Sequence, residues 1–235
     1  GYLATPRFEV VHHDGPKARG GEEYHEAYER CIEHSDERNR EVARKAAGLG
    51  LDGYRVLVNV DRVDQGQVLA EAIDHEMRQA SRNVSAEFLC GSDPTSHREE
   101  VLDAFEGDGP PQVLVSTLIK EGVDIPAMDA VILAHGGKSD ISTLQVIGRA
   151  LRPQGDKDHA LVVDVADEGR FFGRAHKQRQ DTMAEYYGEA YDGPGADDVD
   201  TESTGASKAS LTDPLDDDEV EEMADWLGVD EDDIQ

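Results

Sequence analysis

The sequence predicts an α/β fold: a parallel sheet flanked by helices, followed by a disordered acidic tail. Three observations carry that expectation. Short apolar, β-branched runs recur between residues 55 and 165: "RVLVNV", "AEFLC", "QVLVST", "DAVILA" and "HALVVDV". Between most of them lie segments with apolar residues at helical spacing, and strands that alternate with helices pair in parallel through crossovers. After residue 192 large apolar residues become rare, and 17 of the last 44 residues are Asp or Glu against one Lys. A segment of that composition cannot bury enough surface to offset its conformational entropy.

Residues 1–52 read as a crossing segment followed by a helix. "RFEVV" (7–11) is a short extended stretch that dissolves into Gly, Pro and Lys. From Glu22 to about Ala47, Tyr24, Ala27, Tyr28, Cys31 and Ile32 repeat on one side, which predicts one helix closed by "GLGLDG". The main domain is expected over 53–170. Its strands are the five runs above. Its helices are 64–79, with Val68, Leu69, Ala72, Ile73 and Met77 on one face, then "SHREEVLDAFEG" closed by Gly107, and "ISTLQVIGRAL". Residues 171–191 form a trailing helix, basic first and aromatic later. In the tail (192–235), 192–212 are expected to be disordered. Residues 216–227 form a marginal amphipathic helix with Trp226 on its apolar side.

The charge balance narrows the setting. Lys and Arg total 23 against 52 Asp and Glu, so the formal charge is 23 − 52 = −29. A surface loaded with acids and poor in Lys suits concentrated salt, where long-range repulsion is screened; a halophilic cytoplasm is expected. The two cysteines, Cys31 and Cys90, form no C-x-x-C pair and read as reduced thiols in an intracellular protein. No apolar run reaches the ~18 residues of a membrane span. No H-E-x-x-H or comparable ligand spacing points to a metal, and no G-x-S-x-G points to a serine nucleophile.

"GGKS" (136–139) has the ending of a phosphate loop but not its beginning. Five residues before Gly137 stands Ile132, inside an apolar strand, where the loop needs a glycine able to turn tightly. The chemistry lies beside it. Open parallel sheets bind ligands beyond the carboxyl ends of their strands. Gln145, Arg149 and Arg152 fall at i, i+4 and i+7, one face of a helix, and Gly148 permits close approach. Arginine is the usual residue for charge on a transferring phosphoryl group. Thr117 ends the third strand, Gly122 allows a turn, and Asp124 offers an acceptor to a ribose hydroxyl. Gly91 and Arg98 follow the second strand, and Arg62 follows the first. Taken singly, each pattern also fits surface ion pairs, caps and ordinary loops.

Together these stretches resemble the C-terminal RecA-like half of superfamily 2 helicases, in the archaeal, phage and repair-type DNA translocase branch. The matching order is "RVLVNVDRVDQGQVLAEAI" (motif IV), "GSDPTSHREEVLDAF", "VLVSTLIKEGVDIP" (motif V) and "LQVIGRALRP" (motif VI), over roughly residues 54–165. "GYLATP" resembles the crossing between the two RecA-like domains of such proteins. The resemblance implies a RecA-like fold and ATP, with Mg, as cofactor, held mainly by an N-terminal domain. The phosphate loop and acidic motif of that domain are absent from these 235 residues. It also implies roles: Arg149 and Arg152 on the phosphates, with Arg152 as arginine finger, and Gln145 at the same interface. Gly122, Asp124 and Gly148 would lie at the nucleotide, and Arg62, Gly91, Arg98 and Thr117 along a nucleic-acid track. Two positions depart from the pattern: "DR" (61–62) stands where many relatives carry a small hydroxyl residue, and Thr95 where some carry Gln. The implied partners are nucleic acid, DNA ahead of RNA, and the N-terminal helicase domain, in trans or in a longer protein; no membrane is expected. The competing expectation is a non-catalytic remnant that binds protein or nucleic acid.

Overall fold

A computed structural model of the chain describes residues 4–80, 84–107, 109–119, 123, 125, 128–137, 140–152 and 158–193. Gly122, Asp124, Lys138, Ser139 and the tail from 194 onward, including the expected helix at 216–227, lie outside the described residues, as do the first three residues of "GYLATP".

Six parallel strands form one sheet: β1 (Thr5–Val11), β2 (Val56–Asn59), β3 (Ala86–Leu89), β4 (Val113–Ser116), β5 (Ala130–Leu133) and β6 (His159–Val165), in the spatial order β1-β6-β5-β2-β4-β3. The helices are α1 (Tyr24–Tyr28), α2 (Asp36–Leu51), α3 (Val63–Ala80), α4 (Thr95–Glu106), α5 (Asp140–Ala150) and α6 (Phe172–Tyr187). Burial of both sheet faces explains the continuous apolar runs. Along β2, Val56 and Val58 point into one layer with Val42, Ala46, Leu69 and Ile73 of α2 and α3. Leu57 points into the other, with Phe105, Val146, Ile147 and Met183 of α4, α5 and α6. The period-2 alternation of a strand thus feeds two cores at once.

The region before residue 53 departs from the expected single helix and adds a strand to the sheet. "RFEVV" belongs to β1, which extends the sheet beyond the five strands read from the sequence. Its Phe8 pairs in register with Val162, and Phe8 and Val11 are buried. The helix expected from Glu22 to Ala47 is broken. Glu29–Glu33 wind as a π-turn, His34 leaves helical geometry, and Ser35 is extended. The Ser35 hydroxyl then accepts from the Arg38 amide, and Asp36 and Glu37 occupy the first turn of α2, an N-terminal signal of cap plus acids. Apolar periodicity runs through the break because both pieces bury one side.

Two glycines let helices close on the sheet. A Cβ on Gly66 of α3 would lie 2.1 Å from the Phe88 ring of β3, and one on Gly50 of α2 would lie 2.9 Å from Val113 of β4. These contacts hold α2 and α3 against the strands whose carboxyl ends carry the candidate site.

Candidate nucleotide and nucleic-acid site

α5 presents its two faces differently. Val146, Ile147 and Ala150, with Leu151 beyond its end, are buried in the core, while Gln145, Gly148 and Arg152 are exposed and Arg149 is half-buried. The expected polar face therefore exists as a face, on a helix anchored by its apolar side. Arg149 is fixed there: its Nη1 donates to the Val123 carbonyl at 2.6 Å. Val123 lies between Gly122 and Asp124 in the loop after β4, so one arginine bridges motif VI and motif V.

The remaining candidates follow the carboxyl ends of β2, β3 and β4. At the end of β4 the Ser116 hydroxyl donates to the Leu89 carbonyl and accepts from the Leu118 amide, a hydroxyl-capped turn that leaves Thr117 only 8% exposed. After β3 the Cys90 amide donates to the Asp93 carboxylate at 2.8 Å, which folds Gly91 and Ser92 into a tight turn ahead of α4. Arg98, in the first turn of α4, is half-exposed and reaches Thr95 Oγ1 at 3.3 Å. Arg62 follows β2 and is held on three sides. It donates to the buried Glu33 carboxylate at 3.1 Å and meets His25 Nδ1 at 3.2 Å. Its guanidinium also stacks over the Tyr28 ring at 4.2 Å. The structure thus brings Arg62 and Thr117 to one edge of the sheet but gives Arg62 partners within the chain.

Beneath this edge lies a buried charge network that the sequence reading did not single out. Arg38, fully buried in α2, donates to both oxygens of Asp167 at 2.5 and 2.9 Å and to the Ala134 carbonyl at 2.9 Å. His13 accepts the Gly15 amide on Nδ1, so its Nε2 carries the proton and donates to Asp167 at 3.0 Å. Gln65 of α3 donates to the same Ala134 carbonyl at 2.8 Å. In α6, buried Arg179 donates to Asp164 at 2.8 Å and to the Gly137 carbonyl at 2.8 Å, and His176 meets the second Asp164 oxygen at 2.7 Å. Three side chains from three helices thus hold the carbonyls of the β5–α5 connection and set where α5 begins. Burial opposes ionisation of both aspartates, but the adjacent guanidiniums and the hydrogen bonds to them overcome it. Asp164 and Asp167 are therefore held below the ordinary carboxylate range.

Among the described residues no group of three His, Cys, Asp or Glu could hold a metal ion, and no helix is long and apolar enough to cross a membrane.

The model of the family described as "Helicase conserved C-terminal domain" matches residues 41–154, from within α2 to just past Arg152. Residues 41–154 are the C-terminal RecA-like domain of a superfamily 2 helicase. The ATP-dependent DNA helicase uvsW of Enterobacteria phage T4 is 28% identical over 132 residues, covering 55% of this chain and 25% of that protein. The protein named helicase 22 of a Sulfolobus islandicus filamentous virus is 33% identical over 143 residues, 60% of this chain and 24% of its own. This chain thus spans about a quarter of the length of these relatives. The crystal structure of T4 UvsW superposes on this chain with a TM-score of 0.59 at 20% identity, covering 82% of this chain and 42% of that one, which establishes the shared fold. Within that fold, the parallel sheet with motif-bearing loops at its carboxyl edge is the expected RecA-like arrangement.

Proposed function

We propose that this chain works as the C-terminal half of an ATP-dependent DNA helicase or translocase. It would supply Arg149 and Arg152 to a nucleotide whose phosphates and Mg are cradled by a separate N-terminal domain. The observation that carries the reading is the outward face Gln145–Gly148–Arg149–Arg152 on a helix otherwise locked into the core, with Arg149 tied to the motif V loop at Val123. Such a face has cations for phosphate oxygens. In this reading the guanidiniums come from this domain and the metal ligands from the other. In phosphoryl transfer the protein contributes positioning and charge stabilisation, so each half alone is inactive. Support for DNA as the polymer comes from the phage relative, an ATP-dependent DNA helicase. The acid-rich surface further supports a cytoplasm of high salt.

The test is reconstitution. The 235-residue chain alone should hydrolyse no ATP above background. Mixed with, or fused to, an N-terminal RecA-like domain that carries a phosphate loop, it should produce turnover stimulated by DNA. Turnover by the isolated chain at a helicase-like rate overturns the division of labour. A fused two-domain protein that binds DNA but shows no stimulated turnover supports the binding-module reading instead.

A further inference from the structure

The chain is acidic over most of its length, and its basic stretches are few: in 38–45 Arg38 is buried and Arg44 and Lys45 pair with Glu41 and Glu9, which leaves 168–180. Over residues 168–180, "EGRFFGRAHKQRQ", Arg170, Arg174, Lys177 and Arg179 stand against the single acid Glu168. Arg179 is buried and neutralised by Asp164. The other three are exposed. Helical hydrogen bonding begins before α6 proper, from the Gly173 amide to the Gly169 carbonyl at 3.2 Å and from the Ala175 amide to Phe171 at 3.0 Å. Arg170, Arg174 and Lys177 are therefore in register at i, i+4 and i+7, a row along one face roughly 10 Å long.

A second segment adds to the row. Ala18 forms a parallel bridge with Gly169, which places Lys17 and Arg19 beside Arg170. Gly169 makes the approach feasible: its φ is +99°, and a Cβ there would lie 2.9 Å from the Ala18 amide nitrogen. Lys17 pairs with Glu168 where both side chains are about 60% exposed, an ion pair that solvent and salt exchange readily. Arg170 lies 4.8 Å over the Phe171 ring, and a guanidinium stacked on a ring face keeps its in-plane N–H groups for other acceptors.

We propose that this row, on the N-terminal half of α6 and the 17–19 segment, is a contact for the phosphate backbone of a nucleic acid. It lies outside the matched domain and is separate from the motif residues. The proposal rests on the reading of the domain as a nucleic-acid translocase. Position selects the polymer. The row starts where the chain leaves β6, at the same carboxyl edge of the sheet as Arg62 and Thr117. In the order β6-β5-β2-β4 the end of β6, from which the chain runs into the row, lies about 10 Å from the end of β2 and about 15 Å from that of β4, at ~4.8 Å per strand. A strand crossing the motif residues would reach α6 within a few nucleotides. Placed there in a chain of charge −29, the row gives the phosphates a local attraction against the acidic balance of the whole.

Binding of a fluorescein-labelled single-stranded oligodeoxynucleotide to the 235-residue chain, followed by anisotropy against KCl concentration, tests this. Replacing Arg170, Arg174 and Lys177 together with alanine should weaken binding several-fold. It should also reduce the slope of log affinity on log salt by about two, at ~0.7 per lost phosphate contact on a single strand. The melting temperature should stay within a few degrees, since all three side chains are exposed. Arg98→Ala, on the motif side, should reduce the slope by its own share and add to the triple change. If the triple variant keeps the parent's affinity and slope while Arg98→Ala loses both, the row is not a contact and the translocase reading stands. If the parent binds neither DNA nor RNA at low salt, the two readings fail together.

Discussion

Arg149 of α5 donates to the main-chain carbonyl of Val123 at 2.6 Å, so the helix bearing the paired arginines is fastened to the loop that follows β4. That bond divides the labour of the two arginines. Arg152, three residues on and exposed, lies just past the end of α5, where its backbone amide still reaches the Arg149 carbonyl at 3.2 Å. In the reconstituted protein, Arg152→Ala should cut ATP turnover by roughly 10³-fold or more, the scale of an arginine finger, while the domain stays folded. Arg152→Lys should restore little, because an ammonium lacks the planar fork. Arg149→Ala should in addition raise KM for ATP, as the motif V loop loses its tether. Equal kcat losses with unchanged KM in both variants would show that the Val123 bond positions nothing.

The buried aspartates make acid the weak side of this fold. Asp164 and Asp167 titrate below their unfolded values, near ~3.9, so the native state binds fewer protons than the unfolded chain in that range. Their contribution is fully present above pH ~4 and is lost as pH falls toward their folded values. Urea melts at descending pH should show stability level near neutrality and declining from about pH 4 downward. Asp167→Asn leaves Arg38 buried without its counter-charge and should cost roughly 3–5 kcal/mol at neutral pH. A stability curve with no acid limb, or an unaffected Asn variant, would contradict the ionised pair.

Gly66 tests how the sheet and α3 close. Alanine is the better helix former by about 1 kcal/mol. Here, however, its Cβ would lie 2.1 Å from the Phe88 ring, a contact that only movement of α3 or of the ring relieves. Gly66→Ala should therefore destabilise by roughly 1–3 kcal/mol despite the propensity gain. Phe88→Leu in the same chain should recover part of the loss. A stabilised single variant would place α3 farther from β3 than the structure has it.

What was legible in the sequence followed from short-range periodicity. Leu57 between Val56 and Val58, or Arg149 four residues after Gln145, declares a face without any partner being known. The charge network was not legible, because its halves are far apart in sequence: Arg38 and Asp167 are separated by 129 positions and Arg179 and Gly137 by 42. A lone Arg on a helix rich in Glu and Arg reads as part of the solvated side, and Arg38 is instead fully enclosed. Arg62 shows the reverse case. Its place after β2 was readable, but Glu33, His25 and Tyr28 come from the broken helical region, and periodicity carried straight through that break.

The final prediction concerns salt. Residues 1–191 hold 35 acidic and 22 basic side chains, and α4 alone exposes Glu99, Glu100, Asp103 and Glu106 on its outer face. The native state concentrates this excess on a small surface, and unfolding spreads it, so self-repulsion opposes folding in dilute buffer. Screening shortens from about 10 Å at 0.1 M to about 3 Å at 1 M ionic strength, which removes repulsion between surface acids but leaves buried pairs such as Arg38–Asp167 nearly untouched. The melting temperature should therefore rise by several degrees with KCl, most of it at the lower concentrations, where the screening length is still comparable to the spacing of the charges. Glu99→Lys together with Glu100→Lys should raise the melting temperature in dilute buffer and flatten the dependence, because it removes repulsion at its source. Substituting sucrose for KCl separates screening from general exclusion effects: sucrose stabilises both proteins alike, whereas KCl should favour the parent. A parent whose melting temperature is the same in dilute and molar KCl would show that its acids are too dispersed to repel, and the high-salt reading of the surface would fall.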